Sequence, residues 1–351
     1  MFPRSPDDLT PAWLSEQVGG GVKAFAAEQI GVGVGLLGRL FRLTLEGDGV
    51  PGSVIAKFPT LDESARMNVV EPLRFYEKEV RFYQQAAPLS PLATPRAYFA
   101  DHDPATGDFL LILEDLGERR TCDQTAGCEV RDAEVAIDAL AGLHVAWWES
   151  TRFAGLPWLP FASDPPFPQV VAGMFKQAWP RAQEVLGERI PEEFRAYGER
   201  FPELVEWFFE QASRPPVTLL HGDFRLDNLF FGTGGGEPPV TAVDWQICIK
   251  GRGGYDLGYF LSQSLTPSTR REHEEALVRR YHEAVSRHVS YPFDELWDDY
   301  RRTVAFCFTY PVVAAGQIEV TNERHLELLT GMAERAMTAI ADVRALALLP
   351  V

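Results

Sequence analysis

Three oxygen-bearing side chains, Asp223, Asn228 and Asp244, fall in one short stretch of the chain, 219–245. It reads LLHGDFRLDNLFF, then a Gly/Pro-rich gap, then VTAVDW. Such hard donors suit Mg2+, which is commonly held by one or two carboxylates together with substrate phosphates. Apolar runs at 217–220, 229–231 and 240–243 read as short buried strands. The polar residues between them then sit at strand ends, where a rigid scaffold presents chemical groups. Taken singly, each Asp or Asn is as readily a turn residue, and 232–236 is turn material.

Taken together, H-G-D-x-x-x-x-N and an apolar strand ending in Asp form a long and specific pattern. It resembles the catalytic and metal-binding segments of the aminoglycoside phosphotransferase family, which includes choline kinase-like small-molecule kinases. Protein kinases carry H-R-D-x-x-x-x-N and then D-F-G. Here Gly222 replaces the Arg, and Asp244-Trp245-Gln246 stands where D-F-G would be. The resemblance implies phosphoryl transfer from ATP to a hydroxyl of a small molecule. It assigns Asp223 to the acceptor hydroxyl and its proton, and Asn228 and Asp244 to Mg2+. His221 braces the loop. Arg225 either stabilises the loop or touches the transferring phosphate.

Those residues need a nucleotide site upstream. A strand runs into Ile30, Gly31, Gly33 and Gly35 make a bend, and a second strand covers 40–45. Glycines let backbone N–H groups approach an anionic ligand closely. A strand follows them, whereas a Rossmann site needs a helix, and no GxxxxGK[ST] is present. The third strand, 53–58, carries Lys57 near its end. Lys57 is either an amphipathic residue of an edge strand or the strand Lys that meets nucleotide phosphates. Helical spacing over 71–85 puts Phe75, Glu79 and Phe82 on one face. By resemblance Glu79 holds Lys57 toward the phosphates, with Glu77 as the competitor. Strands at 97–100 and 109–113 lead into Glu114 and Leu116, in the segment that by resemblance links two lobes and offers its backbone to the adenine.

The expected fold is α+β, two-lobed and protein-kinase-like. The N-terminal lobe, 1–117, holds a small antiparallel sheet; the C-terminal lobe, 118–351, is mainly helical and contains loop 219–231 and Asp244. Thr10 and Pro11 read as the N-cap and first position of a helix. Helices are expected at 130–148, 169–186, 194–212, 267–285, 293–308 and 322–346. His144 reads as a packed core residue. Asp256 reads as a helix cap; the resemblance makes it a tie to the catalytic loop. Gly251-Arg252-Gly253-Gly254 stands where the antibiotic-resistance enzymes often show G-D-P, which fits the ecdysteroid-kinase-like and related bacterial branches.

Composition narrows the partners. The 351 residues carry a net charge of −17 with 46% hydrophobic content. Such a surface repels nucleic acid and anionic membranes, which bind through Lys and Arg. No run reaches the roughly 18 apolar residues of a transmembrane helix. The start of the chain has no apolar signal core. Reduced thiols in a cytoplasmic protein are expected of Cys122, Cys128, Cys248 and Cys307. The acidic surface suits an amine acceptor and the aromatic stretch 169–212 an apolar alcohol, so a hydrophobic hydroxylated metabolite ranks slightly ahead. Oligomeric state is open. Two rival readings are a nucleotide-binding pseudokinase with a regulatory role and a metal hydrolase using His221, Asp223 and Asp244, which lacks the His ligands zinc prefers.

Overall fold

The computed structural model describes residues 2–31, 37–117, 119–318, 320 and 323–350. The chain divides into two compact units, Met1–Arg119 with Ala242–Cys248, and Arg120–Thr241 with Ile249–Val351. Segment 242–248, including Asp244, packs with the first unit, whereas the sequence reading placed it in the second lobe. The cause is local. The Ala242 N–H donates to Ala93 O at 2.9 Å, and the Trp245 ring stacks on Phe82 at 3.8 Å.

The first unit opens with α1 (Pro11–Val18), capped by Thr10, whose side chain accepts from the Trp13 N–H. Five strands follow: β1 (Gly21–Ile30), β2 (Gly38–Asp48), β3 (Ser53–Pro59), β4 (Ala97–Asp103) and β5 (Asp108–Glu114). They form an antiparallel sheet in the order β1-β2-β3-β5-β4. β3 is therefore the middle strand, and Lys57 pairs across to Leu40 and Leu111. That rules out the edge-strand reading of Lys57. Alternation sorts the faces: Val54, Ala56 and Phe58 join Leu43, Leu110 and Ile112 in a core closed by Leu14 and Val18 of α1. Each of these side chains other than Ala56 contributes about 1.5–3 kcal/mol by leaving water.

Between β3 and β4 the helix expected at 71–85 is interrupted. A short α2 (Glu63–Ala65) runs into a π-helical turn at 66–70. Arg74 then adopts a left-handed conformation (φ 52°), and α3 (Phe75–Arg81) starts after it. π-Helical turns often sit at functional sites, and a second one, 82–86, follows α3.

The second unit is mainly helical: α4 (Val130–Trp147), α5 (Phe167–Leu186), α6 (Glu192–Ala212), α7 (Gly254–Ser264), α8 (Pro267–Ser286), α9 (Phe293–Phe306), α10 (Thr309–Gln317) and α11 (Glu323–Asp342). Short strands β6 (Thr218–Leu220) and β9 (Ile249–Gly251) pair antiparallel, and β7 (Leu229–Phe231) pairs with β8 (Val240–Ala242). β9 and α10 were not expected. Phe175, Trp179, Tyr197, Phe201, Phe208 and Phe209 are buried and stack among themselves and on Phe306 and Phe308. These aromatics are core, so they lend no support to an apolar acceptor. Among the described residues no helix is long and apolar enough to cross a membrane.

Candidate active site

In the first unit the site is built on β3 and α3. Lys57 Nζ donates to both Glu79 oxygens, at 3.0 and 2.8 Å, and to Asp244 Oδ1 at 3.0 Å. Glu77, the competitor, bonds instead to Arg74 on the surface. The Lys57 and Glu79 side chains are 8% and 1% exposed. Burial pulls the Lys57 pKa down, but Asp244 and Glu79 outweigh it and raise the pKa, so the group stays cationic. Burial pushes the Glu79 carboxyl up, with Lys57 pulling the other way and Asp244 adding to the rise. Asp244 follows β8 in a left-handed conformation, φ 63°. Such a φ is uncommon outside glycine, although Asp tolerates it better than most. Gly38, at the start of β2, lies so near that a Cβ on it would sit 3.3 Å from Lys57 Cε.

Of the glycine bend, Gly31 has φ +66°, which suits glycine; Gly33 and Gly35 lie outside the described residues. At the end of β5, Glu114 accepts from the Arg96 N–H at 3.1 Å, and Leu116 is buried. Asp115 between them binds Arg42 Nε and Ser53 Oγ, both at 2.7 Å, and the Gly117 N–H. These bonds fix the shape of the segment after β5.

In the second unit, loop 221–228 is folded around Asp223. Asn228 Nδ2 donates to Asp223 O and Oδ2, both at 2.9 Å. Arg225 Nε lies 3.3 Å from Asp223 Oδ1, and its Nη1 binds Asp227. The Tyr259 O–H donates to Asp223 Oδ1 at 2.8 Å. Burial would raise the Asp223 carboxyl, but Arg225, Tyr259, His221 and Asn228 outweigh it and hold the pKa below the ordinary carboxylate value. The group is thus an ionised acceptor. His221 is buried and its Nδ1 accepts from the Asp223 N–H, which is a bracing geometry.

Asp256 anchors the loop from α7. It accepts from the backbone N–H of His221 at 2.7 Å and of Gly222 at 2.9 Å, and it faces buried His144, which also binds the Tyr281 hydroxyl. It lies inside the first turn of α7, so it ties the loop and does not cap the helix. His144 is a core residue, as read. The glycines beside it are packing devices. A Cβ on Gly251 would lie 2.7 Å from Leu220 Cδ1, one on Gly254 2.7 Å from Asp299 Cβ, and one on Gly253 would strike the Tyr281 hydroxyl. Arg252 is buried between Asp299 and Glu295.

The predicted residues gather in two groups, Lys57, Glu79 and Asp244 in the first unit and His221, Asp223, Arg225 and Asn228 in the second. The donor chemistry fits Mg2+. The Asn228 amide is oriented by two acceptor oxygens, which turns its Oδ1 away from Asp223 as a candidate ligand, and Asp244 has a second oxygen beyond the one on Lys57. Among the described residues no three His, Cys, Asp or Glu side chains group to hold a metal ion, and the donors to hand suit an ion that also takes phosphate oxygens. The metal-hydrolase reading needs more protein ligands than these. Sequence reading missed Tyr259 and Gln124. Gln124 Oε1 accepts from the Leu226 N–H at 3.0 Å. Both sit in segments whose spacing reads as ordinary packing or linker, and no sequence signal separates them from their neighbours.

Residues 162–291 match the model of the Ecdysteroid kinase-like family. The match spans loop 221–228, Asp244 and Asp256 but not Lys57 or Glu79. Solved structures share the fold along nearly the whole chain. Amicoumacin kinase hAmiN, in complex with AMP-PNP, Ca2+ and Ami, is 10% identical, covers 90% of each chain and has a TM-score of 0.57. APH(2″)-IIIa, in complex with GDP and kanamycin, is 12% identical over 92% of this chain and 96% of that one, with a TM-score of 0.56. Choline kinase from Cryptosporidium parvum Iowa II is 12% identical over 92% and 91%, with a TM-score of 0.55. A comparison with curated proteins returned no match. The fold is that of the protein-kinase-like small-molecule phosphotransferases, and the resemblance read from His221, Asp223, Asn228 and Asp244 is borne out.

Proposed function

We propose that this chain is an ATP-dependent kinase of a hydroxylated small molecule. The acceptor oxygen forms a bond to the γ-phosphorus, the bond from that phosphorus to the β–γ bridging oxygen breaks, ADP leaves, and the hydroxyl proton passes to Asp223. Phosphoryl transfer asks the protein mainly for positioning and for cancelling charge. Lys57, steadied by Glu79, meets the nucleotide phosphates, and Gly31, Gly33 and Gly35 lend backbone N–H groups. Asn228 and Asp244 are each candidate ligands of Mg2+, which would neutralise charge on the transferring group. Glu114 and Leu116 belong to the segment whose backbone meets the adenine. Arg225 steadies Asp223 and Asp227, consistent with its two ion pairs.

The observation that carries this reading is the buried ammonium of Lys57 bonded at once to Glu79 and Asp244. A middle-strand Lys, a helix carboxylate and the Asp at a later strand end are the parts a phosphate site of this fold requires. A pool of hydroxylated metabolites and ATP, read by mass spectrometry for phosphate gain and by ADP release, tests it. One class of hydroxyl compound should gain phosphate in step with ADP. Nucleotide binding without turnover, unchanged by Asp223→Ala, would favour the regulatory pseudokinase instead.

A further inference from the structure

We propose that Tyr259 is a positioning residue for this reaction, fixing the Asp223 carboxylate in the orientation that receives the acceptor hydroxyl. The inference rests on the kinase reading above.

Tyr259 donates to Asp223 Oδ1 at 2.8 Å, and Asn228 donates to Oδ2 at 2.9 Å. The terminal torsion of an Asp side chain is otherwise soft, so donors on both oxygens set the plane of the carboxylate. Tyr259 is itself held. It is 4% exposed, its ring stacks on Tyr310 with centroids 4.0 Å apart and planes 6° apart, and the Tyr310 hydroxyl lies 3.3 Å from that of Tyr255. The geometry comes from one helix. Residues three apart share a helical face, and Asp256 and Tyr259 are three apart on α7. Asp256 fixes the loop backbone through the N–H groups of His221 and Gly222, and Tyr259 fixes the loop's carboxylate one turn later. A loose transition state needs a well-held hydroxyl, and a misplacement of about 1 Å can cost about 100-fold in rate. Tyr259 acts through Asp223, so it positions and does not itself react.

Tyr259→Phe keeps the ring and its stack and deletes only the O–H. The probe is ATP with water as acceptor, followed as ADP release by wild type, Tyr259→Phe, Asp223→Ala and the double variant. Tyr259→Phe should lower kcat about tenfold and leave the KM for ATP within about twofold, the mark of an interaction used in the transition state. The double variant should be no slower than Asp223→Ala, because the two residues act as one unit. Wild-type kcat in Tyr259→Phe, or losses that multiply in the double variant, would overturn the proposal while leaving the kinase reading intact. Wild-type ADP release no faster than that of Asp223→Ala would instead bring down the kinase reading and this proposal with it.

Discussion

Lys57 Nζ lies 3.0 Å from Asp244 Oδ1, although the two are 187 positions apart in the chain. The same ammonium binds Glu79, so two carboxylates from distant segments converge on one buried cation. Removing one member of such a pair is costly because it leaves the partner charge uncompensated, at about 3–5 kcal/mol. Lys57→Ala should therefore cost several kcal/mol in urea denaturation and abolish the response to ATP. Burial already raises Glu79, so part of that loss is relieved by protonation. Lys57→Met with Glu79→Leu should regain most of the stability and none of the ADP release. Recovery of turnover in the double variant would refute the role given to Lys57.

Asp256 accepts two backbone N–H groups of the catalytic loop. Each buried donor left without a partner costs about 1–3 kcal/mol. Asp256→Ala should lose about 2–6 kcal/mol on that basis and most activity, while Asp256→Asn, which keeps one acceptor oxygen, should lose less of both. Equal stability of Asp256→Ala and wild type in chemical denaturation would contradict the anchoring role.

The sequence made some of this legible and hid the rest for physical reasons. His221, Asp223, Asn228 and Asp244 announce themselves because few other patterns put polar groups at successive strand ends. Spacing puts Lys57 on a strand and Glu79 on a helix, but their pairing, and the choice of Glu79 over Glu77, comes from the resemblance; in the fold Glu79 meets Lys57 and Glu77 meets Arg74. Tyr259 was invisible, since a buried tyrosine in the apolar helix α7 has the signature of core. The interruption at Arg74 left no mark either, because nothing in E-P-L-R-F announces a left-handed residue. The aromatic stretch 169–212 carries no information on the acceptor. Composition cannot distinguish a pocket lining from a core, and the stacked rings there are core.

Asp115 gives a pH prediction. Burial would raise its pKa, but Arg42, Ser53 and the Gly117 N–H outweigh that and hold it below 3.8. A depressed folded-state pKa contributes stability that is fully present above the unfolded value and is lost as pH falls through the folded one. Wild type should exceed Asp115→Asn by about 1–2 kcal/mol near neutral pH, allowing for solvent around Arg42. The gap should shrink as pH drops below 3.8. Denaturation curves across that range measure it, and a gap that widens in acid would contradict the assignment.

Gly253 faces the Tyr281 hydroxyl, and a Cβ there would also lie 3.0 Å from His144 Nδ1. Gly253→Ala should cost about 1–3 kcal/mol, the range for overpacking a tight interior, and should part His144 from Tyr281. A melting temperature equal to that of wild type would show that the neighbours yield freely.

The most direct test of the central claim is transfer by Asp223→Asn. The amide keeps the shape of the carboxylate but cannot take the acceptor proton or receive the Tyr259 O–H in the same way. Bound nucleotide, followed by calorimetry, should hold with an affinity close to wild type, while ADP release with any accepted hydroxyl compound should fall to background. Wild-type turnover in Asp223→Asn would contradict the assignment of Asp223 and, with it, the kinase mechanism.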